Sequence, residues 1–179
     1  PEVFTMEEQS IDEEALWAGL EKALRQACEQ MVESRLKEGE HLKNDLCEKL
    51  QGMLSYVTFI ESRSPQIVEE YRAKLEAKLT ELLADRQLDD SRVAAEVVLF
   101  ADKICVDEET VRLRSHIKST LDTLEAGGSV GRKLDFIAQE MNREANTILS
   151  KTNDLEISDM GINLKTDIEK VREQIQNIE

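Results

Sequence analysis

Apolar residues recur every three or four positions along almost the whole chain, which is the period of one face of an α-helix. Near the start, the series runs Trp17, Leu20, Leu24, Ala27 and Met31. The 179 residues include only 2 prolines and 7 glycines, and aromatic residues make up 4% of the chain. That composition argues against a β-sandwich or a barrel, which need frequent turn residues. The sequence therefore predicts an all-α protein.

Capping and turn residues divide the chain into helices. A first helix is predicted from residue 12 to residue 60, weakest at Gly39 because glycine costs about 1 kcal/mol relative to alanine. Ser64 and Pro65 predict the start of a second helix, with serine as the N-cap and proline in the first turn. Gly127 and Gly128 predict a helix end. Further helix starts are predicted at Asp89–Asp90–Ser91, at Asp107 as a cap, after Ser129 and after Asn153–Asp154.

The predicted helices are expected to pack antiparallel. Residues 1–87 are predicted to form a long antiparallel helical hairpin or coiled-coil arm, and residues 88–179 a C-terminal helical bundle. In the last helix, the apolar residues follow the alternating spacing of four and three that is typical of a coiled coil. They are Leu164, Ile168, Val171, Ile175 and Ile178. This seam favours bundle packing together with self-association.

The charge balance bears on possible partners. The chain has 38 acidic and 23 basic side chains and a net charge of −15 at pH 7, whereas nucleic-acid-binding proteins usually present a basic surface. RNA binding would therefore require local basic positions, metal ions or sequence outside this chain. The three cysteines are widely spaced and are expected to be free thiols in a reducing cytoplasm. No stretch approaches the roughly 20 apolar residues of a membrane span. Because the chain begins at Pro1 without a methionine, we expect a processed, truncated or partly observed protein.

The helix predicted after Ser129 carries a polar face opposite its apolar seam. The residues of that face are Arg132, Gln139, Arg143, Asn146 and Ser150, and Phe136 lies among them. One interpretation is a second packing surface inside an oligomer. The other is a groove in which arginines bind phosphate and amides bind sugar or base edges.

Two clusters of charge suggest chemistry. Glu140 and Glu144 are four residues apart, so they lie side by side on the helix at a cost of a few tenths of a kcal/mol. A divalent cation such as Mg²⁺ or Mn²⁺ would turn that repulsion into attraction. The alternative is a solvated face balanced by Lys133 and Lys151.

The preceding helix carries Glu109, Arg112 and His116 at spacings of three and four, next to Glu108. These groups could bind a metal, neutralise a phosphate and transfer a proton. The alternative is an ordinary ladder of ion pairs along one helix.

Three segments are more specific than an amphipathic helix requires: GRKLDF from Gly131, QEMNREANT from Gln139 and REQIQNIE from Arg172. Together with R-x-x-E-G from Arg35 and E-E-x-x-R-L-x-x-H from Glu108, they resemble the YicC/YloC family of bacterial endoribonucleases. The resemblance covers nearly the whole chain and is densest from Glu96 to Glu179. Members of this family are longer, and we expect an α+β region upstream of Pro1 that is absent here.

The resemblance implies a metal-dependent endoribonuclease subunit that hydrolyses phosphodiester bonds in RNA and acts in RNA turnover. It also implies a homo-oligomer, expected to be a hexamer. On these grounds we predict catalytic roles for His116, Glu108 and Glu109. A Mn²⁺ or Mg²⁺ site is predicted among Glu108, Glu109, Glu140 and Glu144. The predicted RNA-binding residues are Arg112, Arg132, Lys133, Gln139, Asn142, Arg143, Asn146 and Lys151.

An alternative function is a non-enzymatic helical oligomerisation or adaptor protein that binds a protein partner. The acidic charge and the coiled-coil seam favour this alternative, whereas the specific segments favour the nuclease. The sequence contains no phosphate-binding glycine loop, GxSxG, HExxH or zinc-ligand spacing that would indicate a different chemistry. Whether the chain is active without the upstream region stays open.

Overall fold

The computed structural model describes residues 12–83 and 90–178, which contain five helices and no strand. The helices are α1 (Glu13–Leu83), α2 (Asp90–Ile104), α3 (Asp107–Ala126), α4 (Gly131–Lys151) and α5 (Leu155–Ile175). The all-α class and the C-terminal bundle are confirmed, and the N-terminal arm is one long helix rather than a hairpin. The chain divides into two compact units, residues 1–42 and 43–179. The predicted boundary at residues 87 and 88 lies outside the described residues and stays a prediction.

Several predicted helix ends are confirmed. Gly127 and Gly128 have positive φ angles of 66° and 84° directly after α3, a conformation that glycine adopts without steric cost. Asp154 is the N-cap of α5, where its Oδ1 accepts a hydrogen bond of 3.0 Å from the backbone N–H of Ile157. The predicted cap at Asp107 is wrong, because Val106 occupies the cap position and Asp107 is the first residue of α3. Its carboxylate still favours the helix N-terminus through the helix dipole.

The predicted start of a new helix at Ser64–Pro65 is also wrong. Helix α1 continues through Pro65, although a proline inside a helix costs about 3 kcal/mol. Contacts on both sides of the proline oppose a break: Arg63 Nη2 donates to Asp154 Oδ2 at 2.9 Å, and Ile67 packs against the core. Tertiary packing therefore outweighs the local preference.

The second unit, residues 43–179, contains a bundle of four antiparallel helices: the part of α1 from Lys43 onward, then α3, α4 and α5. Side-chain pairs join neighbouring helices in a ring, and the residue numbers on the two helices of each pair run in opposite directions. The pairs include Glu61–Arg114 between α1 and α3, Glu109–Lys151 between α3 and α4, Asn146–Lys165 between α4 and α5, and Asp167–Tyr56 between α5 and α1. Helix α2 packs on α1 through the stacked rings of Phe100 and Tyr71, whose centroids are 3.7 Å apart.

The bundle core consists mainly of apolar residues that recur at the helical period. Leu50 of α1, Leu113 of α3, Met141 of α4 and Leu164 of α5 are all fully buried; truncating such a side chain to alanine typically costs about 2–5 kcal/mol. The coiled-coil spacing of α5 is satisfied within this core, where Leu164 and Ile168 have no exposed surface. Self-association is therefore not needed to explain that seam.

The first unit is different, because apolar residues at the same spacing are exposed in its described part. Leu16, Trp17, Leu24 and Leu36 each present more than half of their surface to solvent. The polar residues form pairs within the helix, such as Arg25 with Glu21 and Lys37 with Glu33. None of the described helices is both long and apolar enough to cross a membrane.

Candidate active site

A seam of charged side chains, here called the polar seam, runs between α3 and α4. It consists of Glu109, Arg112 and His116 on α3 and of Glu140, Glu144 and Lys151 on α4. Spacings of three and four on α3, and of four and seven on α4, place each set on one side of its helix. Because the helices are antiparallel, Glu109 lies opposite Lys151 at one end, Arg112 reaches Glu144 in the middle, and His116 meets Glu140 and Glu144 at the other end.

At the first end, the Glu109 carboxylate is paired with a cation, Lys151. Only 6% of Glu109 is exposed, and its Oε1 accepts a hydrogen bond of 2.8 Å from Lys151 Nζ. The same ammonium group donates to the backbone oxygen of Cys105 at 3.0 Å. The hydrogen bond from Lys151 to Glu109 raises the pKa of Lys151 and so favours its ammonium form. Within the described residues, Oε2 of Glu109 has no hydrogen-bond partner.

In the middle of the seam, Arg112 lies between two carboxylates, those of Glu108 and Glu144. Its Nη2 donates to the exposed carboxylate of Glu108 on the same helix. Its Nη1 lies 3.5 Å from Glu144 Oε1, at the outer limit of a hydrogen bond. Only 4% of Glu144 is exposed, so this buried carboxylate has a cation near it but no close ion pair.

At the other end, His116, Glu140 and Glu144 form what we call the His–Glu–Glu cluster. One ligand atom from each residue lies within 4.8 Å of the other two. The next cation, Arg143, is 4.0 Å from Glu140 Oε2. Two carboxylates and an imidazole that converge with little compensating charge have the chemistry of a divalent metal site. The donor set therefore fits the cation that the sequence predicted, with His116 added as a third ligand.

The structure thus sorts the predicted metal and catalytic residues into two groups. It brings Glu140 and Glu144 together with His116, which the sequence analysis had assigned to proton transfer. It leaves Glu109 paired with Lys151, and it leaves Glu108 on the surface beside Arg112. These two glutamates are not part of the described cluster.

An open polar groove of about 560 Å³ lies beside the cluster, on the next face of α4. Its lining residues are Gln139, Asn142, Arg143, Asn146, Thr147, Ser150 and Arg172. Four of them were predicted to bind RNA. Arg172 of α5 was not, although it lies in the REQIQNIE segment; its Nε donates to Asp135 Oδ1 at 3.0 Å. Gln139 and Arg143 directly precede Glu140 and Glu144, so groove and cluster are about 100° apart around one helix.

Helix α5 fixes the orientation of the amides in the groove. Asn142 donates its Nδ2 hydrogen to Glu169. Lys165 donates to Asn146 Oδ1 at 2.8 Å, and Asn146 donates in turn to Asn142 Oδ1 at 3.0 Å. A site whose side chains are held in place loses less conformational entropy when a ligand binds.

The remaining predicted RNA-binding residues have different surroundings. Arg132 and Lys133 are exposed in the first turn of α4. Arg143 leaves 77% of its side-chain surface exposed and is therefore accessible to a phosphate. Lys151, by contrast, is engaged with Glu109, and the geometry gives it a structural role.

Comparison with known proteins agrees with the resemblance. The family model described as "Endoribonuclease YicC-like, C-terminal" matches residues 60–179, and the one for the N-terminal region matches residues 1–44. The chain belongs to the YicC family. The N-terminal match ends close to the division between the two compact units at residues 42 and 43.

Relatives within the YicC family extend beyond this chain. The chain is 42% identical over 180 residues to a probable endoribonuclease YicC of Clostridioides difficile (strain 630). It is 37% identical over 179 residues to a probable endoribonuclease YicC of Haemophilus influenzae. Each alignment covers 100% of this chain and 61% of the relative. The chain therefore spans about three-fifths of the length of these relatives.

Proposed function

We propose that this chain is the helical part of a metal-dependent endoribonuclease subunit that hydrolyses phosphodiester bonds in RNA. The convergence of His116, Glu140 and Glu144 from two helices is the observation that carries the proposal. Membership of the YicC family supports the reaction class, and the adjoining groove of amides and arginines supports RNA as the substrate. A role in RNA turnover and assembly as a homo-oligomer remain part of the proposal.

The cluster is proposed to hold Mn²⁺ in preference to Mg²⁺. Mg²⁺ takes oxygen ligands, whereas a transition-metal ion such as Mn²⁺ also accepts an imidazole nitrogen. A bound divalent ion would neutralise phosphate charge and activate a water molecule. As a ligand, His116 contributes a neutral ring nitrogen, so the ligand role replaces the proton transfer that the sequence suggested.

The other residues are proposed to position the reacting groups. Arg112 holds the Glu144 carboxylate from the α3 side, as groups around a metal site commonly orient its ligands. Arg143 and Arg132 bind phosphates next to the cluster. The arginines of α4 and the metal ion would thus supply the positive charge that RNA binding requires on a chain with a net charge of −15.

A cleavage assay on the full-length protein tests the proposal. Labelled structured RNA is incubated with Mn²⁺, with Mg²⁺ or with EDTA, and the products are separated on a denaturing gel. We expect cleavage with Mn²⁺, slower cleavage with Mg²⁺ and none with EDTA. The chain has two histidines, which gives a matched pair: His116→Ala should abolish cleavage, and His41→Ala, an exposed residue of the first unit, should not. Equal cleavage by both variants would refute the site.

An adaptor function is the second candidate, and the exposed apolar residues of the first unit favour it. Leu16, Leu24 and Leu36 are typical of a surface that another polypeptide covers. The absence of cleavage with every metal, together with stable binding of a protein partner by residues 12–42, would favour this function.

A further inference from the structure

Phe136 is exposed on the polar face of α4. It presents 63% of its surface to solvent, and it is the only aromatic residue of that helix. The aliphatic residues of α4, such as Leu134, Ile137 and Met141, are buried in the core. A large apolar ring on the opposite face therefore has a role outside the folding of the bundle.

The neighbours of Phe136 on the helix surface are polar. Arg132 is four residues before it, Gln139 three residues after it and Arg143 two turns after it, positions that adjoin one another on a helix. The centre of a protein–protein interface usually gathers several apolar residues. A single ring between two guanidinium groups and an amide fits a different partner, since one nucleobase needs only one ring to stack on.

We propose that Phe136 is a stacking platform for one unpaired base of the RNA substrate, with the flanking phosphates on Arg132 and Arg143. This inference rests on the proposed function and narrows it to RNA with unpaired nucleotides at this subsite. A base inside a duplex has both faces covered by its neighbours and cannot stack on a side chain. The strand would continue from Phe136 along Gln139 and Arg143, one residue from Glu140 and Glu144.

Binding in EDTA separates this inference from cleavage. The affinity of the full-length protein for a fluorescent unpaired oligoribonucleotide and for a blunt duplex of equal length is measured by anisotropy. Stacking on an aromatic side chain contributes about 1–3 kcal/mol per base, a factor of roughly 5 to 150. Phe136→Leu, which keeps an apolar side chain but removes the ring, should weaken binding of the unpaired RNA by such a factor and leave duplex binding unchanged. Phe136→Trp should retain the affinity, and so should the control Ile162→Ala, an exposed apolar residue of α5.

An abasic scan makes the test specific to stacking. One abasic nucleotide is placed at each position of the oligonucleotide in turn, and wild type and Phe136→Leu are compared as a double-mutant cycle. At one position, loss of the base should weaken binding to wild type but not to the variant. The absence of any such position would overturn the proposal.

Two other outcomes would also overturn the proposal. In the first, Phe136→Leu binds unpaired RNA with wild-type affinity. In the second, the substitution dissociates an oligomer while each subunit keeps its affinity for the RNA. The latter would assign Phe136 to an interface between copies. Failure of the proposed function looks different, because it is a loss of metal-dependent cleavage and leaves this metal-free binding assay unaffected.

Discussion

Glu109 and Glu144 belong to the same polar seam and are almost equally buried, at 6% and 4% exposure, yet their surroundings differ. Glu109 accepts a hydrogen bond of 2.8 Å from Lys151. Glu144 has its closest cation at 3.5 Å and shares its space with His116 and Glu140. A buried carboxylate with its own cation is stable as it stands, whereas two carboxylates without a close cation favour a metal ion. The difference separates a structural pair from a candidate ligand.

The largest effect is expected at Glu144, the glutamate without a close cation. Glu144→Gln keeps the size of the side chain but removes a charged ligand, and a metal contributes several kcal/mol to phosphoryl transition states. Each 1.36 kcal/mol is a factor of ten, so single-turnover cleavage in Mn²⁺ should fall by roughly 100-fold or more. Asp122→Asn, an equivalent change at an exposed position of α3, is the control. A wild-type rate for Glu144→Gln would remove the distinction between the two glutamates.

At Glu109, which is paired with Lys151, the expected effect is on the stability of the fold. Lys151→Met leaves the Glu109 charge buried without a partner, which costs 3–5 kcal/mol in fully buried pairs. Because 35% of the Lys151 side chain is exposed, we expect about 2 kcal/mol, measured by urea unfolding followed by circular dichroism. The double variant Lys151→Met/Glu109→Gln should recover most of this loss, since both charges are removed. An equally unstable double variant would show that Lys151 acts otherwise than by neutralising Glu109.

A smaller effect on stability is expected at acidic pH, because protonation of carboxylates weakens the ion pairs between helices of the bundle. Hydrogen bonds from Arg114 hold the pKa of Glu61 below its ordinary value. A lowered carboxylate pKa contributes stability above the unfolded value of about 4.3, and that contribution is lost as the pH falls through the folded value. The urea midpoint of wild type should therefore fall more steeply below about pH 4.3 than that of Glu61→Gln. Identical pH profiles would contradict this role of the pair.

Periodicity and capping residues were sufficient to predict most of the fold, since the core of a helical bundle repeats the helical period. They failed at Pro65, where contacts of Arg63 and Ile67 keep α1 continuous, a tertiary effect that local sequence does not show. The spacing in α5 predicted a coiled-coil seam but did not reveal that its partners lie in the same chain.

For the site, the sequence identified the residues on α3 and those on α4, but not how the two helices align. The stripe on α3 and the glutamate pair on α4 were each identified, but which acid meets His116 depends on how the helices align. Antiparallel packing was predicted, and the short connection at residues 127–130 contains enough information to align the two helices as well. Pairing the helices outward from Gly127–Gly128 would have placed Lys151 opposite Glu109 and Glu144 near His116.

Metal binding to the full-length protein without RNA tests the central claim most directly. Titration with Mn²⁺, followed by the electron paramagnetic resonance signal of the free ion, counts sites and gives their affinity. We predict one site per chain, weakened at least about 10-fold by Glu144→Gln or His116→Ala and unchanged by Glu108→Gln. Equal Mn²⁺ affinity in wild type, Glu144→Gln and His116→Ala would contradict the account.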